Sequence, residues 1–400
     1  MQGGACADAA VKLAFIVPGG FGPDGDANTI PALASLVDEL VGRHDVHVFA
    51  FASPGYRSRY ALRGARVHRV EYPWLASGAG LALRGLAIGR LSAQLAYEIA
   101  REESNAPFQC FHAFWANEPG LFAGLFGHAM GVPVVLSLGG GEAVRMPEIG
   151  YGGARTRLGR AVGSLAFRMA DRVTAGTTFA RSFLPAPVAE RTRVVPLGID
   201  WRPFDASPTR PVGPPWRLLH VASLNLVKDQ DTLLRAFARV VSELGEVTLD
   251  CVGQDALGGR VQSLAEALGL GGRVRFHGFL PPEQLAPLYR SAHVHVLSSR
   301  YESQGVVVLE AAAAGVPSVG TAVGLLPTLA PVAASIVAPG DAAGLARAID
   351  ALLLDEGARH AMGTAAQQFA RAHDVVWTAR AFEAIYAELL AARAGSRAAR

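Results

Sequence analysis

Between residues 302 and 310 the sequence reads Glu-Ser-Gln-Gly-Val-Val-Val-Leu-Glu. The apolar run at 294–297 before it predicts a buried strand. The alanines at 311–314 favour a helix, which the Gly-Val-Pro at 315–317 ends. The stretch therefore predicts a strand, a short loop and a helix that starts near Gly305.

This arrangement puts Glu302 in the loop at the carboxyl end of a strand and Glu310 inside the following helix. A helix N-terminus offers unpaired N–H groups and a positive dipole end, both of which suit a phosphate. A carboxylate on each side of a phosphate site predicts a ligand with hydroxyl-bearing sugars on both sides of a diphosphate, which is a nucleotide sugar. The alternative is a surface loop glutamate and a solvated helix glutamate.

The bulk composition indicates a two-domain α/β protein. The chain has 400 residues, of which 50% are hydrophobic and 45 are glycine. Its net charge is only +3, and the arginines are scattered apart from a C-terminal group at Arg393, Arg397 and Arg400. That group is typical of a frayed tail, so we expect no nucleic-acid partner.

The cysteines and the apolar segments predict a cytoplasmic protein. Cys6, Cys110 and Cys251 are far apart and lack metal-ligand spacing, so we expect neither a zinc site nor a disulfide framework. Residues 1–10 lack the basic and apolar regions of a signal peptide. The sequence contains no run of 18 apolar residues, so we expect no membrane-spanning helix.

Strand-like and helical stretches alternate along both halves of the chain. Strands are predicted at 11–17, 46–51, 133–138, 217–222, 247–252, 273–277 and 293–297, and helices at 28–41, 83–103, 155–170, 231–243, 258–268 and 282–290. This alternation predicts parallel sheets built from right-handed βαβ units. The aperiodic, Pro-rich stretch 201–215 predicts a linker, and ligands are expected in the cleft between the domains. A last helix is predicted at 378–394, with Gly395 at its stop.

The pattern at 302–310 resembles the donor motif of retaining glycosyltransferases of family 4. That family carries Glu, seven residues and Glu, usually with Gly-Phe-Gly after the first Glu. Residues 303–305 here read Ser-Gln-Gly, which keeps the second glycine and loses the aromatic residue. The similarity runs from 217 to about 354. It includes Gly-Val-Pro-Ser-Val-Gly-Thr-Ala-Val-Gly at 315–324 and a Pro-Gly-Asp at 339–341, whose Asp341 is expected to cap a helix.

The resemblance implies the GT-B fold, in which two Rossmann-like domains face each other across a cleft and the final helix crosses back onto the first domain. We place an acceptor domain at 1–200, a nucleotide-sugar donor domain at 201–375 and the returning helix at 376–400.

The resemblance also implies a set of donor-site residues. Glu302 would bind donor-sugar hydroxyls near the reacting carbon, Lys228 would neutralise the leaving diphosphate, and His112 would face the donor sugar. Glu310 would bind the ribose hydroxyls. Ser223 stands where the family usually has a phosphate-binding arginine, so neutral hydrogen bonds or another arginine would replace that contact. The remaining donor-binding candidates are Gly305, Val306, Ser223, Asn225, Gly25, Gly253, Gln254, Phe279 and Leu280.

The acceptor side is less specific. Residues 137–142 read Ser-Leu-Gly-Gly-Gly-Glu where the family often has His-Gly-x-Asp/Glu, which leaves Gly139 in the place of the histidine. Three glycines favour close approach of the backbone to a ligand. The acceptor-binding candidates are Glu142, Gly140, Gly141 and Arg145. Trp115 either stacks on an acceptor sugar or packs in the core.

The resemblance implies a retaining, metal-independent transfer of a sugar from a nucleotide-diphosphate donor to a hydroxyl of a glycan, a lipid-linked sugar or a small metabolite, in cell-envelope or polysaccharide biosynthesis. It implies no cofactor. The alternative is a non-catalytic scaffold that binds nucleotide sugars, which the departures at Ser223, Gln304 and Gly139 keep open. The stretch 74–96, with Arg84 and Arg90, predicts either peripheral contact with the inner membrane surface or an ordinary helix.

Overall fold

The computed structural model describes residues 10–22, 30–53, 55–72, 81–205 and 212–398. The chain forms two compact units. Unit 1 comprises the chain up to Gly176, Arg181–Leu197 and the chain from Val375 onward, and unit 2 comprises Thr177–Ala180 and Gly198–Asp374. Gly25 and part of the predicted linker lie outside the described residues.

Unit 1 is built on an eight-stranded sheet in the order β3-β4-β2-β1-β5-β6-β7-β8. Its strands are β1 (Lys12–Val17), β2 (Asp45–Ala52), β3 (Ser58–Leu62), β4 (Ala65–Glu71), β5 (Cys110–Phe114), β6 (Val134–Ser137), β7 (Arg172–Ala175) and β8 (Thr192–Val194). Only β3 is antiparallel to its neighbour. Its helices are α1 (Pro31–Val41), α2 (Leu81–Glu103), α3 (Glu118–Met130), α4 (Arg157–Met169) and α6 (Ala186–Glu190), and α5 (Thr178–Ser182) spans a division between the units.

Unit 2 is built on a six-stranded parallel sheet in the order β11-β10-β9-β12-β13-β14. Its strands are β9 (Trp216–Val221), β10 (Val247–Val252), β11 (Val274–Phe276), β12 (Val294–Leu297), β13 (Ser318–Thr321) and β14 (Ala334–Val337). Its helices are α7 (Gln230–Leu244), α8 (Arg260–Ala267), α9 (Pro282–Ser291), α10 (Val306–Ala313), α11 (Leu326–Leu329), α12 (Ala342–Leu354) and α13 (Glu356–Ala372). The two sheets confirm the predicted α/β class.

The strand order of unit 2 reverses between β9 and β12, which are neighbours in the sheet. Such a switch point opens a crevice at the carboxyl ends of the two strands. The loop after β9 carries Lys228 and the loop after β12 carries Glu302. The topology therefore brings together two segments that are distant in sequence.

The last helix, α14 (Val375–Ala398), belongs to unit 1. Its Phe382, Ile385 and Tyr386 are buried in one core with Phe15 and Phe114 of the sheet. The prediction that the final helix joins the first domain is therefore confirmed. The predicted stop at Gly395 is wrong, because the helix continues to Ala398. A mid-helix glycine costs only about 1 kcal/mol relative to alanine, so it does not have to end the helix.

The buried strands explain why apolar runs were good predictors. All six residues of β1 and all four residues of β12 are buried, as expected for strands covered by helices on both faces. Cys110 and Cys251 lie in such strands and are free, while Cys6 lies outside the described residues. None of the described helices is long and apolar enough to cross a membrane.

Candidate active site

Glu302 and Lys228 form an ion pair in unit 2. The ammonium Nζ of Lys228 lies 2.6 Å from Oε1 of Glu302. Ser299 donates a second hydrogen bond of 2.6 Å to the same oxygen. Glu302 is only 8% exposed, so the carboxylate is fixed by two donors in a partly desolvated position. Charge-assisted hydrogen bonds of this kind are about twice as strong as neutral ones.

The loop that holds Glu302 contacts β13 and the turn that follows β13. The Thr321 hydroxyl donates a 2.6 Å hydrogen bond to the carbonyl of Ser299. Gly324 has a φ of 59°. A Cβ there would lie 2.4 Å from the carbonyl oxygen of Gln304 and 2.8 Å from Cβ of Glu302. Only glycine fits at position 324, and its packing sets the position of Glu302.

Lys228 is positioned by its own loop and by the loop after β12. Its N–H donates to the side chain of Asn225, at 3.2 Å, and its carbonyl accepts a 2.8 Å hydrogen bond from Ser298. The next residue, Asp229, has a φ of 50° and caps α7 by accepting from the N–H of Thr232.

Arg300 is a second cation beside this loop, and the sequence did not single it out. Its Nε lies 3.2 Å from Oδ2 of Asp229, and its N–H donates to the carbonyl of Val227 at 2.8 Å. Its side chain is 41% exposed. Ser223, which replaces the expected arginine, is exposed.

Glu310 is buried on α10, whose N-cap is Gly305 with a φ of 80°. The hydroxyl of Tyr289 on α9 donates a 2.8 Å hydrogen bond to Oε2 of Glu310. Burial raises the pKa of Glu310 to about 7, although the hydrogen bond from Tyr289 opposes the rise. The sequence did not indicate Tyr289, because it lies in an ordinary amphipathic helix without a motif. The predicted Gly305 and Val306 stand at the first turn of α10.

The other predicted donor-binding residues follow β10 and β11, which are neighbouring strands. Gly253 is required by packing, because a Cβ there would lie 2.0 Å from the carbonyl oxygen of Ala222. The carbonyl of Gln254 accepts from Leu224 at 2.8 Å. Phe279, next to Leu280, is 61% exposed. These loops end at the same edge of the sheet as those of Lys228 and Glu302.

In unit 1, the glycines at 139–141 make room for two aromatic side chains. A Cβ at Gly139 would lie 2.4 Å from Cε2 of Trp115, and one at Gly141 would lie 2.6 Å from the ring of Tyr151. The close approach that the sequence predicted for a ligand is therefore made by Trp115 and Tyr151. The indole of Trp115 occupies the space that a side chain at position 139 would need, which explains the glycine there.

Glu142 is held by the backbone of this segment. Its carboxylate accepts hydrogen bonds from the N–H groups of Gly139 at 2.9 Å, Gly140 at 2.7 Å and Ala116 at 3.3 Å. The carboxylate is thus fixed in orientation, while Arg145 nearby in sequence is exposed. Glu142, Gly140 and Gly141 lie together in one loop of unit 1.

His112, which the sequence predicted to face the donor sugar, lies in the core of unit 1. It is fully buried. Its Nδ1 lies 2.7 Å from the hydroxyl of Tyr386, and its Nε2 lies 2.7 Å from Oγ of Ser137. Burial lowers the pKa of His112 to about 3, so the ring is neutral. Because the imidazole is buried and both nitrogens are engaged within unit 1, this geometry favours a structural role for His112 over the predicted catalytic one. His112 ties β5 to α14.

Among the described residues, one group has the spacing of metal ligands. It consists of His47, His68 and Glu102, whose ligand atoms lie within 4.8 Å of one another. The group is buried in unit 1 and contains none of the predicted site residues. Nδ1 of His47 lies 3.1 Å from Nε2 of His68, so these two nitrogens share one hydrogen bond. The other ring nitrogens, Nε2 of His47 and Nδ1 of His68, are buried without a hydrogen-bond partner among the described residues.

Two family models match the chain in succession. The glycosyl transferase 4-like domain matches residues 30–198, and glycosyl transferases group 1 matches residues 203–369. The second range contains the loops of Lys228, Glu302 and Glu310. The chain belongs to the group 1 glycosyltransferases. This assignment confirms the family that the pattern at 302–310 indicated.

The curated relatives of this group 1 glycosyltransferase include two D-inositol 3-phosphate glycosyltransferases. The protein from Corynebacterium jeikeium is 35% identical over 216 residues, which are 49% of this chain and 52% of the relative. The protein from Segniliparus rotundus is 32% identical over 213 residues, which are 50% of this chain and 47% of the relative. The chain therefore spans about half the length of these relatives.

Solved structures confirm the GT-B fold. The sucrose-phosphate synthase from Thermosynechococcus elongatus superposes with a TM-score of 0.78 at 21% identity, covering 96% of this chain and 100% of that one. HepE from Anabaena, in complex with UDP and glucose, gives a TM-score of 0.72 at 21% identity with the same coverage. At this identity, the similarity shows the fold of the group 1 glycosyltransferase alone.

Proposed function

We propose that this chain is a retaining glycosyltransferase that moves a sugar from a nucleotide-diphosphate donor to an acceptor hydroxyl. The observation that carries the proposal is the ion pair between Lys228 and Glu302 at the switch point of the unit 2 sheet. The position fits the place where open α/β sheets bind nucleotides. The family assignment supports the same activity.

In this proposal, Lys228 and Glu302 bind different parts of the donor. In the free protein each neutralises the other. When a donor binds, Lys228 is shared with the diphosphate and stabilises the charge that develops as the leaving group departs. The amino-terminal end of α10 adds backbone N–H groups and a positive dipole end. Glu302 then accepts hydrogen bonds from the sugar hydroxyls near the reacting carbon.

Glu310 binds the ribose of the donor. Its carboxylate is shielded from water and already accepts one hydrogen bond from Tyr289. Because its pKa is near 7, the ionised form that accepts two hydroxyl donors becomes more populated as pH rises through this value. Ribose binding favours this form, so donor affinity increases over the same interval.

Retention follows a front-face route in this proposal. Oε1 of Glu302 already accepts hydrogen bonds from Lys228 and Ser299, which lowers its nucleophilicity. A covalent glycosyl–enzyme intermediate on Glu302 is therefore disfavoured. The departing phosphate instead assists deprotonation of the acceptor. Lys228 and the α10 dipole supply the positive charge that a metal would otherwise supply, so the transfer is metal-independent.

The first test is a thermal-shift and calorimetry screen of UDP, GDP and ADP and their common sugar conjugates. UDP is the natural starting point, because HepE was solved with UDP and glucose. One nucleotide is expected to raise the melting temperature by mass action, and the rise should be lost in Glu310→Ala. Absence of binding by every nucleotide would overturn the proposal. Binding without release of the diphosphate, across the acceptors tried, would instead support the non-catalytic scaffold.

A further inference from the structure

Unit 1 contains a cavity of about 620 Å³ that no predicted donor-site residue lines. It lies between α2, α3 and α4 and reaches the loop of Glu142. Sites for small molecules typically enclose about 300–1,000 Å³. The cavity is therefore large enough for a ligand of its own.

One wall of the cavity is apolar. It is formed by Ile88 of α2, Leu121 and Phe122 of α3, and Leu158 and Val162 of α4. Leu158 is 57% exposed, whereas Ala166 and Phe167 of the same helix are buried. Apolar side chains that line an open cavity are stabilised when a ligand removes them from water.

The lining of the cavity also includes two acidic side chains. Glu142 lies there with its carboxylate fixed by backbone N–H groups. Glu118 lies there too, with a 3.1 Å hydrogen bond from the hydroxyl of Tyr72. No lysine or arginine is among the described residues that line the cavity. Two carboxylates without a cation repel a phosphate and accept hydrogen bonds from hydroxyl groups.

We propose that this cavity binds the acceptor, and that the acceptor has a compact apolar aglycone and an uncharged head with hydroxyl groups. This inference rests on the proposed glycosyl transfer and names the substrate class for the acceptor side. The apolar part lies against Leu158 and Val162, and the hydroxyl-bearing head faces Glu142. The chain therefore differs in acceptor chemistry from its relatives, whose names specify a phosphorylated inositol.

The size of the cavity favours a ring or a short chain over a long lipid. A drug-sized ligand fills such a volume and buries most of its surface. A long polyprenyl or diacyl chain would extend beyond it into water. We therefore infer that the ligand of this cavity is a soluble amphiphile.

The test is direct calorimetric binding of phenyl β-D-glucopyranoside and hexyl β-D-glucopyranoside to the full chain without a donor. Both are expected to bind at least about tenfold more tightly than D-glucose, because burial of the aglycone adds apolar contact. D-Inositol 3-phosphate is expected not to bind under the same conditions. Leu158→Asp should weaken binding of both glycosides by about tenfold or more. Leu354→Asp is the matched control, since Leu354 is a 70% exposed leucine in unit 2, and it should leave binding unchanged.

Three results would overturn the inference. The first is equal affinity for D-glucose and the two glycosides, or glycoside binding that is insensitive to Leu158→Asp. The second is binding of D-inositol 3-phosphate in place of the glycosides. The third is sedimentation with phosphatidylglycerol vesicles that is lost in Leu158→Asp while neither soluble glycoside binds, which would assign the wall to a bilayer.

Nucleotide binding to unit 2 is measured separately and keeps the two proposals apart. If a nucleotide binds and no glycoside does, the acceptor inference fails and the proposed function stands. If a glycoside binds and no nucleotide does, the cavity is an amphiphile site and the proposed transfer fails.

Discussion

The ammonium of Lys228 lies 2.6 Å from the carboxylate of Glu302, although 74 positions separate them in the sequence. The pair exists because β9 and β12 are neighbours and their loops meet at one edge of the sheet. Each partner was predicted from its own motif. Their contact shows that one positive and one negative charge offset each other at this edge of the sheet.

We expect Lys228→Met to reduce turnover by about 100-fold or more, because a preorganised positive charge at the leaving group is lost. It should also destabilise the fold by about 2 kcal/mol, because Glu302 is left without its charged donor. Urea denaturation and release of nucleoside diphosphate measure the two effects. The double variant Lys228→Met/Glu302→Gln should recover stability but not turnover. Equal loss of stability in the single and the double variant would show that the pair has no energetic coupling.

Glu310→Gln is expected to stabilise the free protein at high pH. The folded state raises the pKa of Glu310 from 4.5 to about 7, so it binds the proton more tightly than the unfolded state does. The stability of the wild type therefore falls as pH rises from about 4.5 to 7 and stays lowered above that. The penalty is about 3 kcal/mol at pH 8, and glutamine avoids it while still accepting from Tyr289.

Chemical denaturation at pH 4 and at pH 8 measures this effect. The difference between Glu310→Gln and wild type should be near zero at the lower pH and should favour the variant at the higher one. A difference that does not depend on pH would contradict the buried position of the carboxyl. Nucleotide affinity should fall in the same variant, since an amide accepts hydrogen bonds more weakly than a carboxylate.

His112→Ala is expected to act on stability and not on chemistry. The substitution removes two buried hydrogen bonds and leaves a cavity under Tyr386, at a cost of about 3 kcal/mol. Turnover of the folded protein should change by less than about threefold. Tyr386→Phe removes only one of the hydrogen bonds and should cost about 1 kcal/mol. A 100-fold loss of turnover with an unchanged melting temperature would restore the catalytic role.

Gly139→Ala is expected to displace the indole of Trp115, because the new methyl group would lie 2.4 Å from it. Overpacking of this kind costs about 1–3 kcal/mol. The matched control is Gly89→Ala on α2, where a Cβ meets nothing within 4 Å and the change should stabilise the helix by about 1 kcal/mol. Thermal unfolding with tryptophan fluorescence compares the two. Trp115→Ala should remove the penalty, and failure to do so would place the clash elsewhere.

The sequence predicted the features that depend on local pattern. Apolar runs predicted β1, β2 and β6 of the first sheet and β9 to β12 of the second. The spacing of Glu302, Gly305 and Glu310 predicted a loop and a helix with the right bounds. The edge strand β3 was missed because its residues are partly exposed, and β4 was missed because the exposed Arg66 and the half-buried Arg69 interrupt its apolar pattern. The strands β7, β8, β13 and β14, of three or four residues each, were also missed. Local propensity placed the end of α14 too early, since one glycine weighs little in a helix of 24 residues.

Features that depend on tertiary contacts were harder to predict. Ser299 and Tyr289 orient the two key carboxylates, yet each stands in a stretch without a motif. The family resemblance assigned His112 to the donor sugar, and three successive glycines at 139–141 favoured close approach of the backbone to a ligand. Their neighbours in the structure are Tyr386, Trp115 and Tyr151. These contacts form only when the chain folds, so no local pattern predicts them.

The position of α14 in the core of unit 1 affects the order in which the two units can finish folding during synthesis. Residues 375–386 supply Phe382, Ile385 and Tyr386 to the core of unit 1, but the ribosome makes them only after the whole of unit 2. Until then the nascent amino-terminal half leaves Phe15 and Phe114 without their cover and His112 without one of its partners. We therefore expect folding of this half to be completed only after the last helix has left the exit tunnel.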